Sequence, residues 1–163
     1  MKDGNIRLFW ILNMKKNECL SVAIHEFAHY VDLYFLRKSL FRDISDYFYT
    51  LSWQSVSVLN PWASQKDFVS GYAMTNKYED FAESFTYYVL HNGDFLNKSA
   101  SSQTLLKKYN FFSKYVFKHY EFFDTNFSTS KKVKPYYRDI TKIDFDMQNF
   151  LFFLKKWYNV PTL

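Results

Sequence analysis

Glycine, proline and cysteine are scarce in this chain, with three, three and one of them among 163 residues. So few Gly and Pro leave little room for tight hairpins, and long helices are expected instead. The single cysteine, Cys19, excludes an intrachain disulfide, so the fold does not depend on an oxidising compartment, and Cys19 reads as a small buried apolar residue. Long apolar runs are missing as well. Residues 150–154 are too few to span a bilayer, and residues 8–12 are too few for the apolar part of a secretory leader. The expected location is therefore the cytoplasm, unless the chain is part of a longer secreted precursor. Positive charge is in excess, at +5, but it is scattered. Its densest cluster, Lys131, Lys132 and Lys134, comes with no nucleic-acid-binding motif, so no nucleic-acid partner is expected.

What the chain does have is aromatic and apolar mass, at 23% and 48% of residues, enough for one sizeable core rich in Phe and Tyr. Embedded in an amphipathic stretch is His25-Glu26-Phe27-Ala28-His29, which reads H-E-x-x-H. Two histidines four apart lie one turn above the other on a single helix face, so their imidazoles can converge on one metal ion. Glu26 then faces a water on that metal, whose pKa zinc lowers toward neutrality, and a carboxylate within reach can take the proton as hydroxide attacks a carbonyl. The bland alternative is two ordinary helix histidines, one in the core and one solvated.

A catalytic zinc site needs a third protein ligand. A metzincin would place histidine at position 35 and glycine at position 32; the chain has Phe35 and Asp32, so that class is excluded. Fifty residues after His29, however, a second helical pattern brings Glu79 and Glu83 onto one face, bordered by Tyr78, Phe81, Ala82 and Phe85. Asn76 is a good N-cap for this helix, which leaves open a capping-box role for Glu79, with Glu83 as the ligand in that case. Asp32, at i+7 from His25, is a candidate to hydrogen-bond a ligand or replace one, or else a solvated helix carboxylate. His91, before Asn92-Gly93, reads as a helix-end residue favourable to the dipole, and His119 as a surface residue of a late helix.

The paired segments HEFAHYVD and YAMTNKYEDFAESF resemble the gluzincin pattern, and are most similar to the anthrax lethal-factor-like metallopeptidases, over residues 17–122. The resemblance implies a zincin-like core in which His25, His29 and Glu79 bind Zn²⁺ and Glu26 is the general base. It also implies that Tyr72 steadies the oxyanion or protonates the leaving group, and that Glu83 orients a ligating histidine. The expected activity is zinc-dependent endopeptidase cleavage of a peptide or protein substrate. The alternative is a catalytically impaired zinc-binding structural or regulatory protein.

The expected fold is mainly α with a minimal β element. A buried strand is predicted over residues 6–12 and helices over residues 17–37, 42–51, 77–90, 103–122 and 144–158. An extended loop at 52–75 leads into the site, and residues 92–102 read as a polar connection. Three units follow: a core at 1–123, a linker or exposed loop at 124–140, and a C-terminal helical unit at 141–163. That last helix is expected to dock on the core; the alternative is an aromatic, basic helix for a partner or a membrane interface. Only sixteen residues precede the first helix, whereas zincins place a several-stranded sheet there and pair substrate with its edge. The substrate-binding edge is therefore expected to be minimal, or completed by a partner or an upstream segment.

Overall fold

A helix with almost no exposed side organises the molecule. In the computed structural model, which describes residues 13–36, 43–117, 121–129, 134 and 136–158, helix α3 (Lys77–Leu90) is buried at every position from Asp80 to Leu90. A helix buried on every side belongs in the middle of a core, and its polar side chains Asp80, Glu83, Ser84 and Thr86 must find partners there. Helix α1 (Lys16–Tyr30) lies across it and runs into a π-helical turn, Val31–Phe35. Helix α2 (Ile44–Thr50) covers its N-terminal part, and α5 (Gln103–Phe111), extended by a second π turn at Phe112–Val116, packs alongside. Between them sits an aromatic cluster: Phe48, Phe81 and Phe112 lie with ring centroids 5.2–5.5 Å apart, in edge-on or tilted contacts. Such pairs add to what area burial alone contributes.

The described residues are mainly helical and contain no sheet, only isolated bridges at Trp53–Leu59 and Ser128–Phe145. The strand expected over residues 6–12 lies outside the described residues, as do His119 and Lys131 to Val133.

Several expectations need correction. Residues 92–99 form helix α4 (Asn92–Ser99), not a polar connection. The Asn92-Gly93 stop signal does end α3, because His91 leaves helical geometry at φ −135°. The chain then restarts a helix at once, held by Gly93 N–H donating to Thr125 O. His91 itself is no dipole partner. It is fully buried against Tyr87 and Phe145, neither ring nitrogen has a partner among the described residues, and burial pushes its pKa down to about 3. Asn17 does not cap α1; its amide donates to Phe145 O at 2.7 Å. The helix expected to reach residue 122 ends with the turn at Val116, and Phe122 takes a positive φ.

Helix α6 (Met147–Tyr158) packs through Phe150 and Phe153 onto Phe122, Phe127 and Phe145. Ahead of it, residues 136–142, which take in the end of the expected linker at 124–140, run along α1 and α3, ending in a 3₁₀ turn at Ile140–Lys142.

Candidate metal centre

Helix α3 starts where it does because Asn76 Oδ1 accepts from the N–H groups of Tyr78 (2.9 Å) and Glu79 (3.1 Å). That N-cap satisfies donors the first turn would otherwise leave unpaired. The Glu79 side chain does not turn back to complete a capping box. It reaches across to α1, where one carboxylate oxygen lies 3.1 Å from His25 Nε2 and 3.5 Å from His29 Nε2. One ligand atom from each of His25, His29 and Glu79 lies within 4.8 Å of the others, a grouping that could hold a metal ion. The i, i+4 spacing on α1 stacks the two imidazoles, with centroids 5.0 Å apart.

Glu83, one turn after Glu79, faces the other side of His25. Its Oε1 lies 3.1 Å from His25 Nδ1 and, with no exposure at all, its Oε2 accepts from Ser70 Oγ (2.6 Å) and from Ile140 N–H (2.8 Å). A carboxylate on Nδ1 fixes the tautomer that presents Nε2 to the cluster. Burial works against charge on His25, but Glu79 and Glu83 outweigh it and raise its pKa from 6.5 to about 9. Burial likewise opposes ionisation of Glu79, and the two histidines overcome it, bringing that carboxyl down to about 2. Two imidazoles and an ionised carboxylate converging on one point suit a cation, and they are a standard zinc donor set. The residues present fit the metal.

Glu26 sits beside His25 on α1, half-buried, and its carboxylate makes no hydrogen bond or ion pair with any described residue. Tyr72 opens a 3₁₀ turn, Tyr72–Met74, with its ring centroid 6.1 Å from that of His25 and its side chain 44% exposed. Burial first, then the negative field of Glu79, Glu83, Asp139 and Glu26, raises its pKa above 10, so the phenol stays a hydrogen-bond donor at neutral pH.

The turn bearing Tyr72 is held by residues remote in sequence. Gly71 N–H donates to Tyr137 O and Tyr72 N–H to Arg138 O, both at 2.7 Å, while Ala73 N–H donates to the same Ser70 hydroxyl that bonds Glu83. The Tyr136 side chain lies over Gly71: a Cβ there would come within 1.8 Å of Tyr136 Oη, so the exposed ring would have to move aside. Ser70, the Ile140 N–H and the strap at 136–142 are thus parts of the site that motif reading passes over. Ser70 was legible only as one residue of the loop at 52–75, and main-chain donors leave no side-chain signal.

Asp32 is placed elsewhere. The π turn after α1 sets it against α2, fully buried, with Oδ2 accepting from Tyr49 Oη. It is neither a solvated carboxylate nor one of the three clustered donors.

On its other flank α3 carries a second buried ionic group. Lys108 Nζ, with no exposure, donates to Asp80 Oδ2 (2.7 Å), Asp80 Oδ1 (3.0 Å) and Asp67 O (2.8 Å), and Trp53 Nε1 donates to Asp80 Oδ2 (2.8 Å). This fixes the first turn of α3, and with it the direction in which Glu79 leaves the helix.

Helices joined at their buried faces by a His-His-Glu cluster define a metal-binding helical protein. Residues 2–146 match the family model described as "Putative zinc-binding metallo-peptidase", and the chain belongs to that family. Zinc is thus the metal indicated by both family and donor set. No match was found among curated proteins, and none among solved structures. Among the described residues no helix is long and apolar enough to cross a membrane.

Proposed function

We propose that the protein is a gluzincin-like zinc endopeptidase, related to the lethal-factor-like metallopeptidases, with His25, His29 and Glu79 as ligands. The observation that carries this reading is the convergence of the three donors to within 4.8 Å from helices fifty residues apart, with Glu83 backing His25. A zincin-like core is consistent with the H-E-x-x-H helix crossing the glutamate helix. The catalytic unit comprises the predicted core, 1–123, together with the strap at 136–142.

Bound zinc would acidify a water and polarise the scissile carbonyl. Glu26, unencumbered by other partners, takes the proton from the attacking water and delivers it to the leaving amine. Tyr72 donates its hydroxyl to the oxygen on which charge develops, a role suited to a phenol held by its backbone yet open to solvent. Glu83, held by Ser70 and Ile140, keeps the His25 ring in one orientation.

The test is metal content together with turnover. About one zinc per chain is expected by mass spectrometry. Replacing Glu26 by Gln should retain the zinc while hydrolysis of a peptide library falls roughly 10²–10⁴-fold. Hydrolysis that survives in Glu26→Gln would sink the mechanism.

A second reading, a zinc-binding protein without turnover, is favoured by one observation: the described residues offer no sheet edge for a substrate strand. It predicts stoichiometric zinc and no cleavage of any peptide by the unaltered chain.

A further inference from the structure

We infer that His91 is an acid-operated latch under residues 136–146: protonation of its ring lifts this segment and withdraws the main-chain contacts that it makes to the metal centre. Such a latch works whether or not the site cleaves peptides. His91 has no exposure, and neither ring nitrogen has a hydrogen-bond partner among the described residues. A neutral imidazole there leaves one N–H and one lone pair unmet, and a proton would add a second unmet donor and a full charge. The ring can therefore accept that proton only where water reaches it.

Phe145 is the part of its surroundings that can give way. The His91 backbone is fixed, its N–H donating to Tyr87 O and its carbonyl accepting from Phe95 N–H, both at 2.9 Å, so α3 and α4 hold it from either side. Phe145 stands edge-on to the imidazole, with ring centroids 6.4 Å apart, and belongs to neither helix. The chain around it is held by an isolated bridge rather than a sheet: Phe145 O accepts from the Asn17 amide (2.7 Å), Asp146 N–H donates to Phe127 O (2.7 Å) and Thr129 N–H to Asp144 O (3.2 Å). A few residues earlier, Ile140 N–H donates to Glu83 Oε2, and the carbonyls of Tyr137 and Arg138 hold the Tyr72 turn. Lifting Phe145 therefore pulls on the strap that steadies Glu83 and Tyr72.

The charged and titratable groups on the elements around His91 leave this balance alone. Tyr87 lies beside it on α3, with Tyr137 of the strap against the Tyr87 ring. On α4, Asp94 accepts from the Asn126 amide and Lys98 donates to Val69 O. On α1, Glu18 pairs with Lys142, and Asp124, Asp144 and Asp146 are exposed. None of them acts on the imidazole: burial is the single cause that holds it near 3 rather than 6.5. With Phe145 lifted the ring regains its ordinary affinity for a proton, so opening is favoured as pH falls below 6.5, and the gain levels off near 3. Between pH 7.5 and pH 5 the ratio of open to shut molecules rises about 30-fold.

The experiment is amide-resolved hydrogen exchange of the full chain with zinc in excess, at pH 7.5 and pH 5, corrected for the intrinsic pH dependence of exchange. The Ile140 and Asp146 amides should open about 30-fold more often at pH 5. At both pH values they should also open at least about 10-fold more often than amides in the middle of α3, because the segment lifts while the helix stays folded. His91→Phe, which has no proton to accept and suits the surrounding rings, should remove the 30-fold rise. His91→Gln should remove it too, even where it opens more often at both pH values. Any acceleration that comes from the zinc ligands is common to all three chains and cancels in the comparison. Opening of Ile140 and Asp146 at the same frequency as the middle of α3 would mean global unfolding only and overturn the latch. A rise that survives in His91→Phe and His91→Gln, or no rise in the unaltered chain, would overturn it as well.

Discussion

Adjacent residues on one turn of α3 enter two buried ionic clusters with opposite designs. Asp80 meets Lys108, Trp53 and Ser84 at zero exposure, and both of its oxygens are occupied by donors in the protein. Glu79 meets two histidines at a partly open face, with its side chain 18% exposed and a donor set suited to a metal cation. A closed cluster can only hold elements together, because every hydrogen bond it can make is made. The open one trades some of that satisfaction for coordination capacity. The two share a helix turn, so the sealed cluster serves as the foundation from which the open one is aimed.

The largest effect expected from breaking that arrangement falls on the sealed side. Lys108→Met leaves the Asp80 carboxylate buried without its cation, a loss of about 3–5 kcal/mol. At this chain length that is roughly 10 °C of Tm. Glu79→Ala in metal-free protein breaks a partly exposed contact and should cost far less, yet zinc should fall from about one per chain to near zero. Melting curves in chelator and in zinc separate the two. Zinc should raise the Tm of the Lys108→Met protein and leave that of Glu79→Ala unmoved. Equal losses of Tm for both variants in chelator would break the comparison, and zinc retained by Glu79→Ala but lost in Glu83→Ala would move the third ligand by one turn.

How much of this was legible in the sequence divides along the same line. The open cluster was written in side chains at regular spacing: His25 and His29 at i, i+4, Glu79 and Glu83 at i, i+4, and Asn76 ahead of the second pair. Helices α1 and α3 followed from the same periodicity. The rest depends on features with no local signature. Lys108 is a lysine in a helix, a residue that normally reads as solvated, and only the fold brings Asp80 to it. Residues 136–142 show no hydrophobic period, because what they contribute is main-chain: the carbonyls of Tyr137 and Arg138 and the N–H of Ile140. Helix α4 was hidden by Asn92-Gly93, a true stop signal for α3 followed at once by a new helix. The exact place of Asp32 turned on a π turn, which shifts every later side chain around the axis.

A third buried group, His91, sharpens the contrast because it has no partner at all among the described residues. Burial holds its folded pKa near 3, against 6.5 when unfolded, so between those values the unfolded chain binds the extra proton. Stability from this residue is therefore intact above pH 6.5 and drains away as pH falls toward 3. The expected loss between pH 7 and 5 is about 2 kcal/mol. His91→Phe, which suits the Tyr87 and Phe145 rings around it, should remove that part of the acid slope in urea titrations at the two pH values. An unchanged slope would mean that His91 is protonated or solvated in the folded chain.

The smallest effect concerns how the open cluster is aimed. Ser70 Oγ joins three things: it donates to Glu83 Oε2, it accepts from Ala73 N–H in the Tyr72 turn, and through Glu83 it bears on His25 Nδ1. Removing it leaves all three ligands and Glu26 in place and Glu83 still held by Ile140 N–H, so the site should persist with a looser imidazole. Ser70→Ala is expected to weaken zinc about 10-fold, the lower end of the range for groups that orient ligands, measured by competition with a chromogenic chelator. Ser70→Thr, which keeps the hydroxyl, should restore it. A purely structural role for Ser70 would lower Tm in both variants and leave zinc affinity where it was. The open cluster would then take its aim from the Asp80–Lys108 foundation alone.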